Sequence, residues 1–449
     1  MNGNGPEGHD STGTARARAA DPAALRVVHF NTNEAAGGAA KAAVRLHQAL
    51  RAQGVKSRMV VLNRDGDDPD VKRIGQSSAR LGASLLFRDA AHKAVQYLRR
   101  PKDSFDFDLS LFSAPTDALV RETESADILQ LHWVRGLLST AQLHRMAHGS
   151  AKPVVWTLMD LAPLTGGCHY PGECIGYEQK CGQCPVLRSH SPSDASRRTW
   201  TRRQRHFSKT RITVVAPTRW VAERVARSSL LSTARCEVIP LSVDTHLFCP
   251  GRQQLAREVL GLPQTAFILF CGAHQLRQER KGLSQLVGTL HRLRALLESG
   301  HPAILPRILL VTAGPYNPAQ DLGASFPQIH LGLLGDDRIL AIAHQAADLF
   351  ISASLEDAGP MMLNEAMACG VPSVAFQTGG AVEWLDQGGC GYAASLGDIG
   401  DLASGIELFA RDSVARLQAG VSARALAERE FSPRAVASRY AGLYNSLCR

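Results

Sequence analysis

Residues 354–380, "SLEDAGPMMLNEAMACGVPSVAFQTGG", decide the fold of this chain. An acidic loop opens the stretch, a helical segment follows and ends at Gly370, and an apolar strand comes next at 371–376. The run "ADLFISAS" at 347–354 supplies another apolar strand immediately before the loop. Apolar strands that alternate with helices are typical of a parallel sheet with both faces covered. The stretch therefore predicts a Rossmann-like α/β domain.

The start of this helix has the features of an anion site. Gly359 and Pro360 open it, and proline suits the first helical turn because its missing N–H would have no partner there. The backbone amides of Met361 and Met362 can then donate outward, and the helix dipole adds positive potential. We expect a phosphate group to bind at this end of the helix.

Two carboxylates accompany the anion site. Asp357 lies in the loop and Glu365 on the helix, with seven residues between them. Both can face a cleft at the carboxyl end of the sheet, where they would bind hydroxyls of a sugar or a ribose. Gly379 and Gly380 follow the next strand, and glycine lets a backbone turn approach a ligand closely.

The rest of the chain repeats this architecture. Its 449 residues exceed what one hydrophobic core normally supports, so we expect two domains. Apolar strands are predicted at 25–30, 57–62, 127–134, 152–158 and 212–218, and again at 267–273, 307–314, 329–334, 347–354 and 371–376. Residues 236–251 hold two prolines and no periodicity, which indicates a connector. The sequence predicts two facing Rossmann-like domains with a ligand cleft between them.

The predicted domain limits follow from these patterns. They are a disordered tail at 1–23, a first domain at 24–240 with a Cys-rich loop at 165–185, a second domain at 241–430, and a C-terminal helix at 431–449 that packs back on the first domain. The tail is rich in Gly, Ala, Asp and Arg without periodicity, which is typical of a segment that cannot build a core.

Charge and composition limit the partners and the location expected for the protein. The net charge of +9 is concentrated in part at 196–211, "SRRTWTRRQRHFSKTR". This basic run is a solvated helix face or a contact for phosphates or anionic lipid, and no RNA-binding signature accompanies it. No stretch reaches the roughly 20 apolar residues of a membrane span. We expect a cytoplasmic protein with peripheral membrane contact as an option and no nucleic-acid partner.

The motifs together resemble a known family. "EDAGPMMLNEAMACGVPSVAFQTGG" is similar to the donor-site signature of retaining glycosyltransferase family 4, and "VVAPTRWVAERVARSSLL", "VIPLSVDTHLFCP", "LGDDRILAIAHQAADLFISAS" and "GGCGY" resemble further segments of that family in the usual order. The resemblance covers residues 25 to 445. It implies a GT-B fold and transfer of a hexose from a nucleotide diphosphate sugar to a glycan or lipid-linked acceptor. It also implies front-face displacement without an enzyme nucleophile or a catalytic metal.

The resemblance assigns roles in the second domain. Glu365 would bind the ribose, and Asp357 would contact the sugar or its diphosphate. Glu is usual where Asp357 stands, so the adjacent Glu356 is an alternative. Lys281 occupies the diphosphate-neutralising "KG" position. The family's arginine is replaced by a glutamine, and Arg277 or Arg280 could compensate, since the leaving diphosphate needs cations or helix amides.

In the first domain, "EAAGG" at 34–38 fits the family's glycine loop, which places Gly37 and Gly38 near the donor phosphates. The segment 152–185 resembles the colanic-acid and exopolysaccharide branch of the family, but Met159 replaces the histidine that precedes Asp160 in that branch. A thioether cannot relay a proton. Asp160, as a catalytic residue, and His169 and His132, on the acceptor side, are candidates to supply polarity there.

The same segment holds four closely spaced cysteines, Cys168, Cys174, Cys181 and Cys184. Four thiolates at such intervals can complete a tetrahedral zinc shell that pins a long loop. Structural zinc is therefore predicted, with disulfide pairing or free thiols as alternatives.

Two other functions are compatible with this sequence. A nucleotide-sugar epimerase or phosphorylase shares the fold, although neither fits the connector and donor motifs as well. A degenerate, noncatalytic protein that binds a nucleotide sugar or a partner enzyme would explain Met159, Asp357 and the glutamine at position 275 together.

Overall fold

Two parallel sheets organise the chain. The computed structural model describes residues 25–74, 107–108, 113–150, 152–273, 278–315, 325–386 and 388–449. The predicted tail at 1–23 and the candidate Arg277 lie outside these residues.

Seven strands form the first sheet in the order β3-β2-β1-β4-β5-β6-β7, every neighbour parallel. The strands are β1 Arg26–Asn33, β2 Lys56–Asn63, β3 Val71–Arg73, β4 Ile128–Leu131, β5 Val154–Thr157, β6 Ile212–Ala216 and β7 Arg235–Val238. Every residue of β4, β5 and β6 is buried, as expected for strands covered on both faces.

Six strands form the second sheet in the order β10-β9-β8-β11-β12-β13, again parallel throughout. The strands are β8 Phe267–Gly272, β9 Ile308–Ala313, β10 Gln328–His330, β11 Leu349–Ser352, β12 Ser373–Phe376 and β13 Gly391–Ala394. Two Rossmann-like domains of this kind confirm the fold class predicted from the sequence.

Helices cover both faces of each sheet. In the described part of the chain the first domain carries α1 Gly38–Ala52, α2 Thr116–Thr123, α3 Thr140–Ser150, α4 Ala195–Phe207 and α5 Arg219–Arg227. The second carries α6 Gln253–Val259, α7 Leu283–Gly300, α8 Asp337–Ala346, α9 Met361–Ala368, α10 Ile399–Arg411 and α11 Ser413–Glu430, and α12 Pro433–Leu447 follows. Side chains of Thr218, Asp336, Asp398 and Asp412 accept from backbone amides at the starts of α5, α8, α10 and α11, which satisfies N–H groups that lack helical partners.

The C-terminal helix α12 returns to the first domain. Ser432 caps it and Pro433 occupies its first turn, a favourable start for a helix. The hydroxyl of Tyr440 lies 2.7 Å from that of Thr157, and the hydroxyl of Tyr444 donates to Oε1 of Gln130 at 2.8 Å. Both tyrosines are fully buried, so the end of the chain belongs to the core beneath the first sheet.

The connector begins slightly later than predicted. Residues 236–238 belong to β7, which begins at Arg235 and pairs with β6, while 239–251 lie outside helices and strands. The strand lies at the edge of the sheet, and its residues are exposed or half-buried. A short edge strand with alternating polar residues does not produce the apolar run by which central strands are recognised.

Candidate functional site

Asp357 and Lys281 form the centre of the site in the second domain. Nζ of Lys281 donates to Oδ2 of Asp357 at 2.7 Å, and the Gly359 amide donates to Oδ1 at 3.3 Å. Burial acts to raise the pKa of Asp357, but the charges of Lys281 and Arg280 outweigh it and hold this pKa below its usual value. Burial lowers the pKa of Lys281, although Asp357 opposes that effect. The pair supplies a charged acid and a cation at the carboxyl end of β11.

A glycine fixes the position of Lys281. Gly282 joins the turn that holds Lys281 to α7, and its φ of 67° lies in the left-handed region. A Cβ atom at this position would stand 1.9 Å from the carbonyl oxygen of Ala353. Only glycine avoids both the strained backbone and this collision, so the cation is presented by a turn that lies tight against the acidic loop.

Arg280 and Glu356 connect the acidic loop to the first domain. The guanidinium of Arg280 lies 4.3 Å over the ring of Tyr170, and its Nη1 donates to the Glu356 carbonyl oxygen at 3.3 Å. Oε2 of Glu356 accepts from the amide of Gly172 at 2.9 Å. Burial raises the pKa of Glu356, partly opposed by that amide. Glu356 therefore holds the Cys-rich loop, while Asp357 is the carboxylate that faces Lys281.

Glu365 contacts the first domain across the cleft. Its side chain is 2% exposed and its Oε1 lies 2.8 Å from Nη2 of Arg45 on α1. The same guanidinium reaches Oδ2 of Asp337 at 2.7 Å, and Lys41 pairs with Oδ1 of Asp337 at 2.5 Å. Burial raises the pKa of Glu365, and Arg45 acts against that rise. Asp357 and Glu365 thus pair with different cations, one from each domain.

The glycine loop lies against the start of α9. Gly37 precedes α1 with a φ of 85°, and a Cβ atom on Gly38 would stand 3.5 Å from Cγ of Met361. Pro360 gives α9 no side-chain cap, so the amides of Met361 and Met362 remain available to a ligand. The structure brings the two predicted phosphate-binding backbones together.

The second glycine pair lies behind the acidic loop. Gly379 has a φ of 57°, and a Cβ atom there would lie 2.7 Å from the carbonyl oxygen of Asp357. A Cβ atom on Gly380 would collide with the ring of Trp384 at 2.2 Å. Gly379 therefore supports the position of Asp357, and Gly380 is required by packing against the tryptophan.

Asp160 is surrounded by donors on the acceptor side. Its Oδ2 accepts from Nε1 of Trp133 at 2.8 Å and lies 2.5 Å from Nδ1 of His169, and its Oδ1 accepts from the Ala162 amide at 2.9 Å. Burial acts to raise the pKa of Asp160, but His169 and these hydrogen bonds hold it below its usual value. The carboxylate orients two side chains of the pocket lined by Met159, which is half-buried there.

His132 lies deeper than His169. It is 2% exposed, and its Nε2 is 2.9 Å from Nδ1 of His29, whose ring stacks on it at 5.2 Å. His47 lies against His29 at 5.7 Å. Burial lowers the pKa of His132 to about 3. The structure places His132 in a cluster of neutral histidines at the back of the pocket.

Among the described residues, the four clustered cysteines form no disulfide. Cys168 and Cys184 are buried in an apolar cluster with Phe107, while Cys174 and Cys181 are half-buried. Burial raises the pKa of Cys181 to about 11 and also raises that of Cys168 and Cys184. Zinc binds thiolates, and no three His, Cys, Asp or Glu side chains among the described residues are arranged to hold a metal ion. The structure does not support the predicted zinc site.

Several residues of the site escaped the sequence reasoning. Arg45, Asp337, Trp133 and Tyr170 contribute charge or aromatic surface to it. Asp337 belongs to "LGDD" and Trp133 to "QLHWV", segments already noted for other reasons. Their roles depend on contacts between distant segments, which local spacing does not indicate.

Comparison with known proteins places this geometry in a family. Residues 36–247 match the family model Glycosyltransferase Family 4, and residues 253–426 match the model Glycosyl transferases group 1. The putative colanic acid biosynthesis glycosyl transferase WcaC of Escherichia coli (strain K12) is 26% identical over 374 residues, covering 81% of this chain and 86% of that protein. These matches confirm the family resemblance read from the motifs.

Solved structures agree on the fold. Sucrose-phosphate synthase from Thermosynechococcus elongatus superposes with a TM-score of 0.65 at 18% identity, covering 94% of this chain and 99% of that one. Anabaena Alr3699/HepE in complex with UDP-glucose gives a TM-score of 0.62 at 16% identity, covering 94% and 100%. The sheets, the cleft and the family matches lead to one identification: the chain belongs to the GT-B glycosyltransferases, with a Family 4 domain followed by a group 1 domain.

Proposed function

We propose that the protein is a retaining glycosyltransferase that moves a hexose from a nucleotide diphosphate sugar to a glycan or lipid-linked acceptor. The observation that carries the proposal is the convergence of Lys281, Asp357, the glycine loop and the uncapped start of α9 on one cleft. The colanic acid relative supports a role in exopolysaccharide or other cell-surface polysaccharide biosynthesis. The UDP-glucose complex of the HepE structure supports a nucleotide-sugar donor.

The residues of the second domain would bind the donor. Lys281 neutralises the diphosphate. To do so, its ammonium group gives up part of its ion pair with Asp357. The amides of Met361 and Met362 add hydrogen bonds and the positive end of a helix dipole. Glu365 binds the ribose hydroxyls, with Arg45 compensating its charge inside the protein. No metal ion enters this scheme, since side chains and amides supply the positive potential.

Transfer would occur on one face of the donor sugar. The bond between the anomeric carbon and the leaving diphosphate oxygen breaks, and a bond from the acceptor oxygen forms on the same face. The acceptor hydroxyl gives its proton to the leaving diphosphate, so no enzyme nucleophile is consumed. The protein contributes orientation and stabilisation of the developing negative charge, which Lys281 and the α9 amides are placed to provide.

A donor screen tests the proposal. Wild type, Glu365→Ala and Met159→His are titrated with UDP-, GDP- and ADP-sugars, and binding and nucleoside diphosphate release are measured separately. We expect wild type to bind and turn over one donor class, and Glu365→Ala to bind it at least about tenfold more weakly, the loss expected for a charged hydrogen bond. Equal donor affinity in Glu365→Ala would reject the ribose assignment.

Met159 supports a second candidate, a noncatalytic protein that binds a nucleotide sugar. The thioether lines the acceptor-side pocket at the position where the branch that residues 152–185 resemble has a histidine, and it can neither donate a hydrogen bond nor relay a proton. Binding without turnover in wild type, together with turnover in Met159→His, would favour this candidate. Turnover in wild type would reject it.

We also propose that the protein works in the cytoplasm and touches a membrane surface peripherally. Exposed cations on and after α4, Arg198, Arg205, Lys209 and Arg211, support this contact, because basic side chains are attracted to anionic lipid headgroups. No described helix combines the length and hydrophobicity needed to cross a membrane. Sedimentation with vesicles containing phosphatidylglycerol, compared with neutral vesicles, tests the contact.

A further inference from the structure

Three donors contact the carboxylate of Asp160. Trp133 and His169 share Oδ2, and the Ala162 amide takes Oδ1. The side chain is 6% exposed. A buried carboxylate with three donors is stabilised in its charged form. Asp160 therefore positions Trp133 and His169, which line the pocket beside it.

The contact with Asp160 fixes the tautomer of His169. An ionised carboxylate can only accept, so Nδ1 of His169 carries the hydrogen at the 2.5 Å contact. In the neutral ring Nε2 is then a lone-pair acceptor. This atom is buried and has no hydrogen-bond partner among the described residues. An unpaired buried acceptor costs free energy unless a ligand satisfies it.

Trp133 provides an aromatic wall beside this acceptor. Its ring centroid lies 6.1 Å from that of His169 with the planes tilted by 48°, and its indole N–H is fixed by Asp160. The tryptophan is half-buried and lines the same pocket as Met159 and Ser139. The negative face of an indole attracts the weakly positive C–H groups of a sugar ring. The indole wall suits the C–H face of a pyranose and the acceptor suits one of its hydroxyls, and polar residues such as Ser139, Thr140 and Arg135 also line the pocket.

The pocket is joined to the donor loop by a short segment. Tyr170, next to His169, lies under Arg280, and its hydroxyl is 3.4 Å from the Ala358 amide. Two residues further on, the Gly172 amide donates to Glu356 at 2.9 Å. The segment that follows His169 therefore contacts the acidic loop that carries Asp357.

We infer that the acceptor is a carbohydrate whose sugar ring stacks on Trp133 and donates one hydroxyl hydrogen bond to Nε2 of His169. The inference rests on the proposed glycosyl transfer and names the acceptor class and the specificity-determining atom for it. A lipid-linked acceptor fits only if its sugar portion enters this pocket. Met159 contributes contact area there, and His169 accepts the hydrogen bond.

Monodeoxy acceptors test the inference most sharply. The probes are p-nitrophenyl glycosides of glucose, galactose, mannose and fucose with their monodeoxy forms, assayed with whichever UDP-, GDP- or ADP-hexose the wild-type protein binds. The variants are His169→Asn and Trp133→Phe. Asparagine can still donate to Asp160 where Nδ1–H stood, but it has no atom at the Nε2 position. His190→Asn is the control, because His190 is exposed in the segment that follows the Cys-rich loop.

We expect wild type to use at least one glycoside and to lose about tenfold in acceptor kcat/KM when one particular hydroxyl is removed. His169→Asn should raise the acceptor KM about tenfold and leave donor affinity within about twofold. In this variant the parent glycoside and its deoxy form should have the same kcat/KM. The control should behave as wild type.

Two results would overturn the inference and leave the proposed function intact. One is donor turnover without use of any glycoside. The other is an unchanged deoxy penalty in His169→Asn, which would assign the hydroxyl contact to a different group. Failure of wild type to bind any nucleotide sugar would instead reject the proposed function, and the inference with it.

Discussion

Arg45 of the first domain and Glu365 of the second are joined by an ion pair of 2.8 Å across the cleft. Glu365 is 2% exposed and Arg45 is 9% exposed, so the pair lies in a region of low dielectric. Arg45 also reaches Asp337. The residue proposed to bind the donor ribose is therefore part of the contact that holds the two domains together, and donor binding and domain closure share a group.

Removing Arg45 should destabilise the protein. Arg45→Ala leaves the buried Glu365 carboxylate without its cation, which typically costs about 3 kcal/mol. Urea unfolding measures the loss. The surface pair of Arg429 and Glu430 is the matched control, and Arg429→Ala should cost less than about 1 kcal/mol. A similar cost in both variants would show that the cleft pair contributes no more than a surface contact.

The acidic loop allows a test of which carboxylate serves the donor. Asp357→Asn removes the charged partner of Lys281 and should lower kcat/KM for the donor about 100-fold. Glu356→Gln keeps an acceptor for the Gly172 amide and should lower kcat/KM for the donor less than about fivefold. Steady-state kinetics on both variants shows which carboxylate serves the donor. A larger loss in Glu356→Gln would assign that role to Glu356.

Gly282 should be the least replaceable glycine near the site. Alanine there combines a left-handed backbone with a Cβ atom 1.9 Å from a carbonyl oxygen. Gly261 has a similar φ of 64°, but nothing lies within 4 Å of a Cβ atom there. Gly261→Ala should lower the free energy of unfolding by about 1 kcal/mol, because only the left-handed backbone is unfavourable for alanine there. Gly282→Ala should cost clearly more in thermal unfolding and should also weaken donor binding by displacing Lys281. Equal costs would contradict the packing argument.

Acid should destabilise the protein through its buried histidines. Burial lowers the pKa of His132 to about 3 and that of His47 to about 4, while an unfolded chain has histidine pKa values of about 6.5. Below pH 6.5 the unfolded state binds more protons, so the free energy of unfolding falls as pH decreases. The slope approaches about 1.4 kcal/mol per pH unit for each histidine.

Urea unfolding between pH 6.5 and 5 isolates this effect, because most carboxylates remain ionised in both states there. His47→Gln should reduce the slope of the unfolding free energy against pH by the contribution of one histidine. A free energy of unfolding that does not change over this range would contradict the buried, neutral state of the cluster.

The sequence predicted the sheets because buried parallel strands produce continuous apolar runs, as at Val154–Thr157. The family resemblance, and not a local pattern, predicted that Lys281 and the glycine loop lie near the same ligand as Asp357. The sequence did not predict the pairing of Arg45 with Glu365, since the two residues come from different domains. The same applies to Asp160, whose three donors converge only in the fold.

The cysteines depend on the fold in a different way. Their spacing is compatible with a metal site, whereas burial raises the thiol pKa values of Cys168, Cys181 and Cys184. Spacing reports which residues are near in sequence, whereas the protonation state depends on the surroundings that the fold supplies. The domain limits and the roles of the site residues stay predictions, for which the variants above are designed.

The proposed transfer depends most on Lys281, which has to neutralise the leaving diphosphate. The direct measurement is nucleoside diphosphate release from UDP-, GDP- and ADP-hexoses by wild type and Lys281→Ala, with Lys180→Ala as an exposed control. We predict saturable release from one donor class by wild type and by the control, and a fall of about 100-fold in Lys281→Ala. Release at the wild-type rate by Lys281→Ala, or none from any donor by wild type, would contradict the proposal.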